Sequence, residues 1–131
     1  FIDCPPGISL VAENVFAAAD CVLVPLIPTT LSLRTFEKLD KFFKKQNLDR
    51  SIIFPFFSMV EKRKKLHQQV VAELTAKNGQ VLQTQVPYRS DVEKMGLHRQ
   101  PVPCFQPTSS AALSFEALWD EIRHITGNSK S

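Results

Sequence analysis

The sequence predicts an α/β fold with a mostly parallel sheet and flanking helices, incomplete at its N-terminal side. Three observations carry that prediction. Apolar runs at Phe1–Cys4, Cys21–Val24, Ser51–Phe57 and Val81–Val86 alternate with longer amphipathic stretches. The runs lack regular polar alternation, as strands buried on both faces do. The stretches between them have helix length, which crossover connections between parallel strands require.

Phe1-Ile2-Asp3-Cys4 reads as the carboxyl end of a buried strand, stopped by Pro5-Pro6-Gly7. Leu10 to Ala19 is alanine-rich, with Leu10, Val11, Val15 and Ala18 at helical spacing. Cys21 to Val24 is a second strand, ended by Pro25. Pro28-Thr29-Thr30 is a loop, and Ser32 is placed to cap a helix running to about Gln46. Leu33, Phe36, Leu39, Phe42 and Phe43 form its apolar stripe. Ser51 to Phe57 is a third apolar run, in which Pro55 argues against a central strand. Lys62 to Asn78 reads as a helix with Leu66, Val70, Val71 and Leu74 inward, and Gly79 suits its C-terminal cap. Val81 to Val86 is a fourth strand before Pro87. Asp91 to Met95 is a helical turn, and Gln100 to Ser110 a proline-bearing loop. Ala111 to Ile125 is a closing amphipathic helix with Leu113, Leu118, Trp119 and Ile122 as core candidates. Gly127 to Ser131 is a frayed polar tail.

Composition narrows the function classes. The 131 residues are 44% hydrophobic and 22% charged, with a net charge of +3, which excludes a disordered or collagen-like chain. No run approaches the length of a membrane span, and no secretory signal opens the chain. The four glycines, Gly7, Gly79, Gly96 and Gly127, are never followed by lysine, so GxxxxGK[ST] and GxGxxG are both absent from these residues. Cys4, Cys21 and Cys104 form no CxxC pair and no zinc spacing with His67, His98 or His124. Sparse, odd cysteines suit a reducing cytosol. The chain opens on Phe1 inside an apolar run, so the expectation is a longer protein whose front half lies upstream.

FIDCPPG is the most informative segment. An apolar strand ending in aspartate has the form of a Walker B element. In an open α/β sheet the ligand crevice lies outside the carboxyl ends of the strands. A carboxylate there serves a magnesium ion that bridges phosphates. Taken alone, a strand-end aspartate is more often a turn former or a helix cap. The rest of the chain adds context: DCPPG at Asp3 to Gly7, AAADCVLVPLIPTTLSL at Ala17 to Leu33, FSMVEKRKKLH at Phe57 to His67 and VPYRSDVEK at Val86 to Lys94. In this order and spacing the motifs resemble the ParA/MinD family of deviant Walker ATPases, and the FSMV segment is closer to ParA-type partition proteins than to MinD.

The resemblance implies a P-loop NTPase type of fold, with residues 1–126 as the C-terminal part of an ATPase domain and 127–131 as its tail. It implies ATP and Mg2+ as cofactors of the intact protein. Asp3 matches the Walker B aspartate, which organises magnesium, chiefly through water. Pro5, Pro6 and Gly7 match the switch II turn, whose Gly7 amide senses the γ-phosphate; Asp3 and Gly7 are thus the catalytic candidates. Met59 falls in the loop after the strand beside the adenine, and Pro87, Tyr88 and Arg89 match the second segment framing the base. Tyr88 departs from the arginine of many relatives. The Walker A loop and switch I of this family lie upstream of Phe1, so their lysines and catalytic aspartate have no counterpart here.

Partners follow from the same resemblance: non-specific DNA, an ATP-dependent homodimer and a ParB-like activator, in a cytoplasmic, nucleoid-associated protein. Arg63 matches a basic position used for DNA, and Lys62, Lys64 and Lys65 flank it. A basic stripe binds phosphate backbones by counterion release without reading bases. Lys38, Lys41, Lys44 and Lys45 read instead as a solvated helix face. Cys4 reads as a buried strand-end thiol, His67 as a packing or surface residue, and the Phe36 to Phe57 aromatics as core. Glu116, Asp120 and Glu121 on the last helix oppose binding to anionic lipid. Two alternatives stay open: a MinD-like positional ATPase with a cargo other than DNA, and a non-catalytic DNA- or protein-binding module.

Overall fold

Three parallel strands form the sheet in the computed structural model, which describes residues 1–4 and 10–128. β1 (Val22–Leu26) pairs with β2 (Ile53–Val60), from Val22 opposite Ile53 to Leu26 opposite Phe57. β3 (Gln85–Pro87) lies on the other side of β2, giving the order β1-β2-β3. Helices α1 (Leu10–Ala18), α2 (Thr30–Lys45) and α3 (Lys65–Lys77) come before β3. Three short helical turns follow it, α4 (Ser90–Glu93), α5 (Met95–His98) and α6 (Val102–Phe105), and then the long α7 (Ser110–Asn128).

Alternation along the central strand builds two cores. Successive side chains of a strand point to opposite faces. Ile53 and Phe57 of β2, with Val22 and Val24 of β1, meet Phe36 and Phe43 of α2 and Val70 and Leu74 of α3. Phe54 and Phe56, with Leu23, meet Leu118 and Ile122 of α7 on the other face. The sheet is therefore sandwiched between α2 and α3 on one side and α7 on the other. Helix α1 adds Phe16 to the first core, its ring 5.0 Å from that of Phe43.

Several local expectations are corrected. Phe1–Cys4 is not a strand, and Phe1 and Ile2 are exposed. A strand exists through its ladder, and no described strand pairs with this segment; the Phe1 ring instead lies 5.8 Å from that of Trp119. Pro55 does sit within the central strand. Its carbonyl accepts from Leu82 N–H on the β3 side at 2.9 Å, before the β2–β3 ladder begins at Phe57, so the amide that proline lacks faces a stretch without regular pairing. Pro25 is exposed on β1, the edge strand among the described residues, where proline is tolerated, and β1 runs through it to Leu26. Thr29, not Ser32, caps α2: its side-chain oxygen accepts from Ser32 N–H at 3.2 Å.

The fourth strand shrinks to Gln85–Pro87 because the approach to it is held from a helix. The Glu121 carboxylate of α7 accepts from the N–H groups of Gln83 and Thr84 at 2.7 and 3.0 Å. Those two amides are thus satisfied by a side chain and need no ladder. Helix α3 starts at Lys65, three residues later than expected, because Lys64 N–H closes a turn onto Glu61 C=O. His67, Val70 and Leu74 of α3 face inward, and Leu66, expected inward, is exposed. On α7, Leu118 and Ile122 face the sheet as expected, whereas Leu113 and Trp119 are exposed on the flanks of that stripe. No helix among the described residues is long and apolar enough to cross a membrane.

Candidate functional site

Strands β2 and β3 are parallel, so their carboxyl ends open at the same end of the sheet, where α/β folds bind ligands. A cleft of about 530 Å3 lies there. Val60 and the loop after β2 form one wall, with Lys62 and Arg63; Pro87, Tyr88 and Arg89 at the end of β3 form another. Ser110 and Ser114, in the first turns of α7, complete it. Ser109 caps that helix, its Oγ accepting from Ala112 N–H at 3.1 Å.

The wall on β2 is shaped by a bulge. Phe57 pairs with Gln85 and Val60 with Pro87, so β2 carries one more residue than β3 across this interval. Met59 stands in the bulge with φ at 56°, the left-handed region that side-chain-bearing residues seldom occupy. The distortion leaves Met59 43% exposed at the end of the strand, beside Val60 of the cleft. Met59→Ile is expected to lower stability by about 1–2 kcal/mol although it keeps the apolar bulk, because a β-branched side chain tolerates this backbone least. Met59→Gly removes that backbone cost, and urea denaturation of the two variants checks the order.

The loop after the bulge is tied down. Tyr88 N–H donates to Val60 C=O at 3.0 Å, and Glu61 N–H donates to His67 Nδ1 at 3.0 Å. The side-chain amide of Gln68 donates to Lys62 C=O at 2.6 Å. Lys64 pairs with Glu61, which removes it from the pool of free cations. Lys62, Arg63 and Arg89 enter no salt bridge among the described residues. Beyond the end of β3, the Glu93 carboxylate accepts from Tyr88 Oη at 3.1 Å. That hydrogen bond and the Glu93 charge push the Tyr88 phenol above its ordinary pKa, so it stays neutral and donating. A cleft with three unpaired cations, serine hydroxyls and a helix N-terminus favours an anion.

The predicted site residues divide. Pro87, Tyr88 and Arg89, expected at the base, and Lys62 and Arg63, expected at DNA, line one and the same cleft. Met59 sits directly before it in sequence. Lys65 is exposed as the first residue of α3 and does not line the cleft. Asp3 is exposed on the segment before α1, and Cys4 is half-buried there. Pro5, Pro6 and Gly7 lie outside the described residues. Burial, then the Asp20 charge, push the thiol pKa of the half-buried Cys21 up, which disfavours its thiolate. Sequence reasoning missed Ser110 and Ser114, although Ser109-Ser110 ahead of an apolar run is a helix-start signal. It also missed His67 as part of the loop's support.

No family model matches the chain. Among curated proteins it is similar to the chromosome-partitioning ATPase Soj of Treponema pallidum (strain Nichols), 32% identical over 129 residues. The match takes in 92% of this chain and 50% of that protein, so the chain spans about half the length of the relative. The resemblance carried by the motifs therefore stands as homology to a ParA-type partitioning ATPase, and the three-stranded parallel sheet with helices on both faces agrees with a P-loop NTPase type of fold.

Proposed function

We propose that this chain is the part of a ParA-type partition ATPase that supplies one side of the nucleotide-base pocket and a surface for DNA. The whole protein would bind ATP with magnesium, dimerise around the nucleotide, coat DNA without reading its sequence, and hydrolyse ATP under a ParB-like activator to segregate plasmid or chromosome. The observation that carries this reading is the match to a chromosome-partitioning ATPase along most of the chain. The cleft supports it: its walls come from the two segments, after β2 and at the end of β3, that the resemblance assigns to the base.

The residues present fit a magnesium ion held mainly by phosphate oxygens and water. Asp3 is a single exposed carboxylate, and no cluster of three acidic, histidine or cysteine groups able to cage a metal occurs among the described residues. When bound, the ion neutralises charge on the phosphates. Asp3 would hold it through water, and the Pro5-Pro6-Gly7 turn would approach the γ-phosphate. The lysine-bearing phosphate loop has no counterpart in these 131 residues. Here Lys62, Arg63 and Arg89 provide cationic surface, while Met59, Pro87 and Tyr88 offer apolar and aromatic contact to a base.

Photolabelling of the full-length protein with 8-azido-ATP and magnesium tests the pocket. The expected label falls on peptides containing Met59 or Pro87 to Arg89, and unmodified ATP competes it away. Labelling confined to other segments overturns the base-pocket assignment.

A further inference from the structure

His67 is 5% exposed and is the buried polar residue of the described core. It occupies the first inward position of α3, in series with Val70 and Leu74, where an aliphatic side chain would pack without burying a ring nitrogen. Its Nδ1 faces the N–H of Glu61. A backbone amide can only donate, so Nδ1 presents its lone pair to that N–H and the ring proton lies on Nε2.

The peptide unit that His67 holds is a pivot. Its two polar atoms are Val60 C=O and Glu61 N–H, and each is fixed by a different element: the carbonyl by Tyr88 N–H at the end of β3, the amide by His67 of α3. Here β2 leaves the sheet, directly after the left-handed Met59. The next residues are Lys62 and Arg63, both in the cleft wall. Gln68, adjacent to His67, holds Lys62 C=O in turn. With the pivot peptide fixed at both atoms, the loop leaves the sheet in one direction and carries its two unpaired cations to the same cleft as Arg89. A side chain without an acceptor at that position leaves a part-buried N–H unsatisfied, which favours rotation of the peptide.

We propose that His67 is a positioning residue for the basic loop: the acceptor at its Nδ1 orients the Val60–Glu61 peptide and thereby presents Lys62 and Arg63 to a polyanion. The proposal rests on the reading that these two cations meet phosphate groups.

Two amides that differ in reach test it. Asparagine places its oxygen where histidine has Nδ1, whereas the glutamine oxygen reaches the Nε2 position. Binding of the full-length protein to a labelled duplex of arbitrary sequence is measured by fluorescence anisotropy across a salt series. His67→Asn is expected to bind within about twofold of the parent, and His67→Gln to bind about tenfold more weakly with a salt dependence shallower by about one unit, as for a lost phosphate contact. Equal binding by parent and His67→Gln, or equal loss in both variants, overturns the positioning role while leaving the DNA reading intact. A parent that binds no duplex at low salt removes the DNA reading and the proposal with it. Long-range 15N–1H spectra of the parent give a check that needs no variant: a proton on Nε2 and a bare Nδ1 are expected, and a protonated Nδ1 at neutral pH overturns the proposal.

Discussion

Replacing Lys62 and Arg63 together by alanine is expected to weaken binding of the full-length protein to an arbitrary duplex by about tenfold or more at low salt, and to flatten its salt dependence by about two units. Both side chains line the cleft and neither is spent on an acidic partner among the described residues. The loss should be uniform across DNA sequences, because phosphate contacts carry no base information. Lys44 and Lys45 supply the control. They stand in the last turn of α2, where positive charge complements the helix dipole. The Lys44→Ala, Lys45→Ala protein is expected to keep the parental salt slope. If the two double variants behave alike in a salt titration, net charge governs binding and the cleft does not.

Phe43→Ala is expected to destabilise the fold by about 3–5 kcal/mol, the range for deleting a fully buried aromatic side chain. Phe43 is 0% exposed, and its ring contacts those of Phe16 and Phe42 at centroid distances of 5.0 and 6.3 Å. It joins α1 and α2 to the core that also holds Phe57 of the central strand. Collapse into the cavity is restricted because the surrounding groups come from α1, α2 and the sheet at once. Phe42→Ala, at a half-buried ring on the same helix, should cost clearly less. Urea denaturation of both variants gives the comparison, and equal losses would mean that Phe43 is not the packing centre of this face. Losses of the size expected for Phe43 are a large share of the total stability of a domain.

Both predictions rest on features whose legibility in the sequence differs. The stripe Leu33, Phe36, Leu39, Phe42, Phe43 is visible as helical periodicity, and the structure turns Phe36 and Phe43 fully inward. The two longer parallel strands are visible as the apolar runs Cys21–Val24 and Ser51–Phe57, which the structure carries through Pro25 and Pro55 to Leu26 and Val60. Periodicity misplaced Leu66, Leu113 and Trp119, because a pattern of apolar residues gives a stripe and not the angle at which the helix meets the sheet. It could not anticipate that Glu121, far along the chain, would satisfy the amides of Gln83 and Thr84 and so shorten β3.

The candidate site divides along the same line. Motif order alone pointed to Met59, Lys62, Arg63 and the Pro87–Arg89 segment, and to the partition ATPase kinship that the comparison with Soj supports. It treated the first two groups as base pocket and DNA surface, with nothing to say that Lys62, Arg63 and Arg89 share a single cleft. Local sequence determined the types of the main strands and helices and the chemistry of each side chain, since these depend on neighbours within a few residues, though not the choice of Thr29 over Ser32 as the cap of α2. Tertiary structure decided the bulge at Met59, the burial of His67 and the convergence of three cations at the carboxyl ends of β2 and β3. Those features arise where residues far apart in the chain compete for the same hydrogen bonds and the same space, and only the folded sheet fixes which of them meet.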